Sequence, residues 1–133
     1  MALRSNRILI VDDYSTMRRV LTSMLHAIGC RDVDGVADGA QALALLRKKD
    51  YGLVICDLHM EPMSGAEVAR IARANPATAQ IPFLMISADS RPETRVMIEG
   101  LKIEAFLLKP FTAAQLQACI AKASPAAPYL MSA

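Results

Sequence analysis

The chain contains no tryptophan, 5% aromatic residues and only three cysteines. Cys30, Cys56 and Cys119 are odd in number and stand in neither a C-x-x-C nor a metal-ligand spacing. That excludes a disulfide framework and predicts reduced, buried thiols in a cytoplasmic protein. No uninterrupted apolar run approaches the roughly 18 residues of a membrane span, and Met1 to Arg7 has no apolar segment behind its charges. Neither membrane insertion nor export is therefore expected. Charge of one sign is lacking as well: 15 basic against 13 acidic side chains leave a net +2, with the basic residues scattered. Nothing here supports nucleic-acid binding. There is no internal repeat and no linker. With 133 residues, 53% of them hydrophobic, the chain reads as one domain, burying roughly two-thirds of its unfolded surface without disulfides or structural metals.

What is present is a regular alternation of short apolar runs and longer helical patterns. Ile8 to Val11 is β-branched, too short for a helix and ended by Asp12-Asp13, so it predicts a strand buried on both faces. Met17, Val20, Leu21, Met24, Leu25 and Ile28 then follow at spacings of three and four. They predict an amphipathic helix capped by Ser15 or Thr16 and ended by Gly29. A weak strand over Asp32 to Val36 leads to a helix over Gly39 to Lys48; a strand over Leu53 to Cys56, closed by Asp57, leads through Leu58 to Ser64 to a helix over Ala66 to Ala74. Phe83 to Ile86 predicts the fourth strand, ended by Ser87, and Arg91-Pro92-Glu93 opens a helix that stops near Gly100. Ala105 to Leu108 is the fifth strand. Thr112 with Gln115 gives a capping-box pattern for a last helix through Ala123. Five strands alternating with five helices imply parallel strands, right-handed crossovers and a sheet covered on both faces.

Ligands of such sheets collect at the carboxyl ends of the strands. The residues there are Asp12 and Asp13, Asp57, Ser87 and Lys109. Any one of them alone reads as a helix cap or a solvated loop residue. Three carboxylates in one small site require a cation, and an all-oxygen site with few protein ligands suits octahedral Mg²⁺, which keeps waters and accepts a phosphoryl oxygen. A lysine and a hydroxyl opposite would receive the remaining phosphoryl oxygens.

With these residues in view, the chain resembles the receiver domain of bacterial two-component response regulators. The resemblance rests on Val11 to Arg19, on Asp57 with Met60, Met63 and Gly65, on Ser87-Ala88, and on Lys109 to Ala114, and covers residues 7 to 123. Ser15 to Arg19 and Phe111 to Ala114 are most similar to the CheY-like single-domain chemotaxis group. The resemblance implies a flavodoxin-like (βα)5 doubly wound parallel sheet of order 2-1-3-4-5, with residues 1–124 as the receiver and 125–133 as a tail without an output domain. It implies Asp57 as phosphoacceptor, and Asp13, Asp57 and the His59 backbone carbonyl as Mg²⁺ ligands, with Asp12 acting through water. Ser87, the Ala88 N–H and Lys109 would hold the phosphoryl group, and Pro110 would be a cis proline aiming Lys109. Ser87 and Phe106 would form the switch that changes the surface of the fourth helix, fifth strand and fifth helix. The implied partners are a sensor histidine kinase or phosphotransfer protein and an effector such as a flagellar motor switch component. The implied molecule is a cytoplasmic monomer or weak dimer that is not an enzyme beyond its own phosphorylation and dephosphorylation.

Some features depart from the pattern. The family usually carries proline four residues after the phosphoacceptor, where this chain has Glu61 followed by Pro62. His59 and Asp89 are read as modulators of phosphate loss. Arg18 and Arg19 read as a solvated helix face, His26 as a surface histidine, and Val96, Met97, Gly100 and Leu101 as core packing. Two further functions compete: a phosphorelay shuttle or kinase regulator with the same chemistry, and an aspartyl-nucleophile phosphatase. The second expects Asp-x-Asp, where this chain has His59.

Overall fold

Ile8 to Val11 form β1, and all four are fully buried, as the apolar run requires when helices cover both faces of a parallel sheet. In the computed structural model, which describes residues 5–124, the order continues as α1 (Ser15–Ala27), β2 (Val33–Val36), α2 (Gly39–Lys48), β3 (Leu53–Asp57), α3 (Gly65–Ala74), β4 (Phe83–Ser87), α4 (Pro92–Gly100), β5 (Ala105–Leu108) and α5 (Ala113–Ala123). The strands pair in parallel in the order β2-β1-β3-β4-β5. This is the flavodoxin-like arrangement that the resemblance implied. The tail expected over 125–133 lies outside the described residues.

The two-residue period of the strands divides the core in two. Leu9, Val11, Val54, Cys56, Phe83 and Met85 pack on one face with α2, α3 and α4. Ile8, Ile10, Leu53, Ile55, Leu84 and Ile86 pack on the other with Leu21 and Leu25 of α1 and Leu116 and Ile120 of α5. The same alternation sends Asp57, at the end of β3, and Asp12 and Lys109, one step past β1 and β5, toward the α1/α5 side. Ser87 and Phe106 belong to the α3/α4 side. The sheet's pleat thus sorts the site residues before any contact among them is considered.

Helix starts follow local capping. Asp38 accepts the Gln41 N–H at 2.8 Å for α2, and Ser64 with Glu67 and Thr112 with Gln115 form reciprocal capping boxes for α3 and α5. Pro92 occupies the first turn of α4, where its missing N–H costs nothing. The start of α1 differs from expectation. Ser15 is already helical and Tyr14 is the extended cap residue, because the Asp12 carboxylate takes the Tyr14 N–H at 2.9 Å and turns the chain one residue earlier. Strands β3 and β4 also run one residue further than expected, so that Asp57 and Ser87 are the last residues of strands rather than the first of loops.

At the carboxyl end of the sheet, α3 approaches β3 very closely. The Gly65 N–H donates to the Leu58 carbonyl at 2.9 Å, and a Cβ at Gly65 would overlap the Asp57 carbonyl oxygen and come within 2.9 Å of Met85 Sδ. Gly65→Ala is therefore expected to lower the unfolding free energy by about 1–3 kcal/mol, the usual range for overpacking. Urea denaturation measures this, and an unchanged midpoint would show that the close approach is not required.

Candidate functional site

Asp12 directly follows β1, with its N–H on the Val36 carbonyl at 3.1 Å, and is nearly inaccessible. Asp57 ends β3 and is 6% exposed, whereas Asp13 faces solvent. One carboxylate oxygen of each of Asp12, Asp13 and Asp57 lies within 4.8 Å of the others. Lys109 reaches across from the end of β5, placing its Nζ 3.5 Å from Asp57 Oδ1 and 3.7 Å from Asp12 Oδ2. The Lys109 N–H extends the β4–β5 ladder onto the Ser87 carbonyl at 2.9 Å, which fixes the base of that side chain. The Lys109–Pro110 peptide is cis, as expected, and so is Glu61–Pro62.

Three carboxylates face one ammonium. Burial holds the Asp57 carboxyl above the usual carboxylate range; the Lys109 ammonium opposes that rise, and the charges of Asp12 and Asp13 add to it. A net deficit of positive charge in a half-closed, all-oxygen site is what a small hard cation would relieve. The donor set therefore fits Mg²⁺. The neighbouring Cys56 is the opposite case: complete burial pushes its thiol far up, and it packs as an inert apolar group.

The loop after β4 is organised around Asp89. Its N–H donates to Ser87 Oγ at 2.9 Å, and its carboxylate accepts from Thr94 Oγ1 at 2.7 Å and from Arg91 Nε and Nη2 at 2.9 and 2.7 Å. These bonds, those of Arg91 foremost, hold the Asp89 carboxyl far below the usual range. His59, exposed on the loop after β3, brings Nε2 to 3.4 Å from Asp89 Oδ2. The pair joins the loop after β3 to the loop after β4. Ala88 lies at the surface beside it, and Phe106 is half-buried against the α3/α4 core.

Sequence reasoning brings Asp12, Asp13, Asp57, Ser87 and Lys109 to one edge; there the three carboxylates and the Lys109 ammonium come together, while Ser87 is tied to Lys109 through the main chain and turns its hydroxyl to the Asp89 N–H. Arg18 was misread. That side chain is not a free solvated group: it turns back across the β1–α1 junction and donates from Nη1 to the Asp12 carbonyl at 2.6 Å. A contact between a helical side chain and a main-chain carbonyl six residues earlier leaves no periodic signal to read. Arg91 and Thr94 as anchors of Asp89 were missed as well, although an acceptor at Asp89 just before the proline-opened helix is a detectable pattern. His26 is exposed, as expected; Leu101, just after α4, is core, but Val96 within α4 is 68% exposed, contrary to the reading of that group as packing.

Comparison with known proteins agrees with this geometry. Residues 8–121 match the family described as the response regulator receiver domain. Chemotaxis protein CheY-3 of Vibrio cholerae serotype O1 is 35% identical over 114 residues, covering 86% of this chain and 88% of that protein. The crystal structure of a response regulator receiver protein from Pseudomonas putida superposes with a TM-score of 0.80 at 32% identity, covering 92% of this chain and 99% of that one. The receiver domain of a sensor histidine kinase from Pseudomonas aeruginosa, solved with a magnesium ion coordinated in its active-site cleft, gives a TM-score of 0.82 at 26% identity over 94% of this chain and 100% of that one. With its parallel sheet in the order 2-1-3-4-5 and its aspartates, serine and lysine gathered at the strand ends, this chain belongs to the response regulator receiver domain family and is CheY-like within it.

Proposed function

We propose that Asp57 is the phosphoacceptor of a two-component signalling pathway, and that phosphorylation changes which protein the receiver binds. The observation that carries this is the half-closed carboxylate of Asp57, at the end of β3, with Lys109 Nζ at 3.5 Å and Asp12 and Asp13 beside it. An oxygen of Asp57 attacks the phosphorus of a phosphohistidine; the new P–O bond forms as the P–N bond breaks, and the imidazole leaves. Repulsion between two anionic partners is the barrier to that approach. Lys109 supplies one positive charge, and Mg²⁺, held by Asp13, Asp57 and the His59 backbone carbonyl with Asp12 acting through water, would neutralise the rest. Ser87 Oγ, the Ala88 N–H and Lys109 take the phosphoryl oxygens.

The output follows from Ser87. Its Oγ accepts the Asp89 N–H, which uses a lone pair and leaves the hydroxyl proton for a phosphoryl oxygen. Turning toward the phosphate draws the loop after β4 inward, and Phe106, on the same face of the sheet, moves into the space behind it. The surface of α4, β5 and α5 then differs between the two states. Reversing such an equilibrium from 1:99 to 99:1 takes about 5.5 kcal/mol of differential stabilisation, within reach of several charge-assisted hydrogen bonds.

The donor is a sensor histidine kinase or phosphotransfer protein. The likeness to a chemotaxis protein favours an effector such as a flagellar motor switch component, with a shuttle or kinase-regulating role as the second reading. On this account residues 1–124 are the receiver, a cytoplasmic monomer or weak dimer that contacts proteins rather than nucleic acid or membrane; no described helix is long and apolar enough to cross a membrane. Turnover of external phosphate esters, the work of an aspartyl-nucleophile phosphatase, is disfavoured because the second position of Asp-x-Asp is His59, whose ring turns to Asp89.

Incubation with acetyl phosphate and Mg²⁺ is expected to add the mass of one phosphoryl group to the parent and none to Asp57→Ala; an addition that survives Asp57→Ala would overturn the assignment. His59 and Asp89 overhang the group and set its lifetime by obstructing or orienting the attacking water. His59→Asn and Asp89→Ala are each expected to change the rate of phosphate loss several-fold, up to the roughly 100-fold lower bound of positioned proton-transfer effects. Rates equal to the parent's in both variants would assign the pair no role.

A further inference from the structure

We infer that Arg18 is a positioning residue for the metal site: its guanidinium fixes the peptide that joins Asp12 to Asp13 and so aims both carboxylates at a divalent cation. This rests on the metal reading given above. The Asp12 N–H is held by the Val36 carbonyl at 3.1 Å and the Asp12 carbonyl by Arg18 Nη1 at 2.6 Å, so the residue is fastened at both main-chain groups. Its carboxylate is fastened too, by the Tyr14 N–H at 2.9 Å. Asp13 has a different dependence. Among the described residues no side-chain hydrogen bond or ion pair holds its exposed carboxylate, which therefore takes its direction from the peptide plane that Arg18 sets.

The rest of the Arg18 side chain is seated rather than waving. Its stem crosses β2 at Gly35, where an added Cβ would stand 3.5 Å from Arg18 Cδ. Behind it, the Arg18 carbonyl accepts Thr22 Oγ1 at 2.8 Å within α1. Arg19, the next residue, faces solvent. Two arginines adjacent in sequence thus differ: one guanidinium is bonded to the metal-site turn and the other is exposed.

This pairing makes the effect of position separable from that of charge. A nearby cation repels a metal ion, so removing the charge of either arginine should by Coulomb's law alone tighten metal binding. Loss of the positioning bond acts with the opposite sign, as loss of a group that orients a metal ligand does. Only Arg18 is subject to both.

The test is a titration of the full-length chain with Mn²⁺, followed by the electron paramagnetic resonance signal of the free ion, with thermal midpoints recorded in parallel. Arg18→Met keeps the stem and is expected to weaken Mn²⁺ binding about ten-fold, at the lower end of the effect of removing a ligand-orienting partner. Arg19→Met is expected to leave binding unchanged or slightly tighter. Gly35→Val, which leaves the charge in place but crowds the stem, is expected to weaken binding in the same direction as Arg18→Met. Binding by Arg18→Met equal to or tighter than the parent's overturns the role of Arg18 while leaving the metal reading intact. A parent that takes up no Mn²⁺ overturns the metal reading and this role with it. Should Arg18→Met fail to fold, Gly35→Val decides, and unweakened binding there overturns the inference.

Discussion

The structure depends on an electrostatic imbalance: the carboxylates of Asp12, Asp13 and Asp57 are brought together within 4.8 Å and met by a single ammonium, that of Lys109. A carboxyl whose native pKa is raised, as that of Asp57 is, binds its proton more tightly in the folded than in the unfolded state. Its contribution to stability is therefore unfavourable at neutral pH and fades as the pH falls through the raised value. A chain that needed only to be stable would neutralise this site with apolar side chains. Under the function proposed above, the imbalance is a readiness for positive charge and for an incoming phosphoryl group, a trade of stability for activity.

The fold makes that imbalance sustainable. Parallel strands end at one edge, so β1 delivers Asp12 and Asp13 there, and β3, β4 and β5 deliver Asp57, Ser87 and Lys109. The alternation of the pleat decides which of those residues share a side. Two cores, one between the sheet and α1/α5 and one between the sheet and α2, α3 and α4, hold the strand ends in place. Gly65 lets α3 come against the end of β3, Asp89 gathers the first turn of α4, and Arg18 secures the turn out of β1. Each ties an element's end to the site by a main-chain group or a small residue rather than by more apolar area.

Legibility in the sequence followed the same division. The strands and helices could be read because burial imposes periods of two and of 3.6, and the residues that end apolar runs stand out from them; Asp57, Ser87 and Lys109 were found that way. Strand ends were displaced by one residue at Asp57 and Ser87, because a polar side chain at the edge of a sheet does not stop the backbone ladder. The cap of α1 was misplaced because the Asp12 carboxylate, needed in the site, also takes the Tyr14 N–H. Arg18 could not be read at all. Its partner is a carbonyl oxygen, which every residue carries, so composition and spacing hold no trace of the bond.

The most direct measurement of the central claim is the free energy of unfolding as a function of Mg²⁺ concentration at constant ionic strength. A cation that binds only the folded site stabilises it by about 2.7 kcal/mol at a hundred times its dissociation constant. The parent protein is expected to show this logarithmic rise, and Asp57→Asn, which removes one carboxylate from the cluster, to lose most of it. A parent whose stability does not respond to Mg²⁺, or one that responds no differently from Asp57→Asn, would contradict the account.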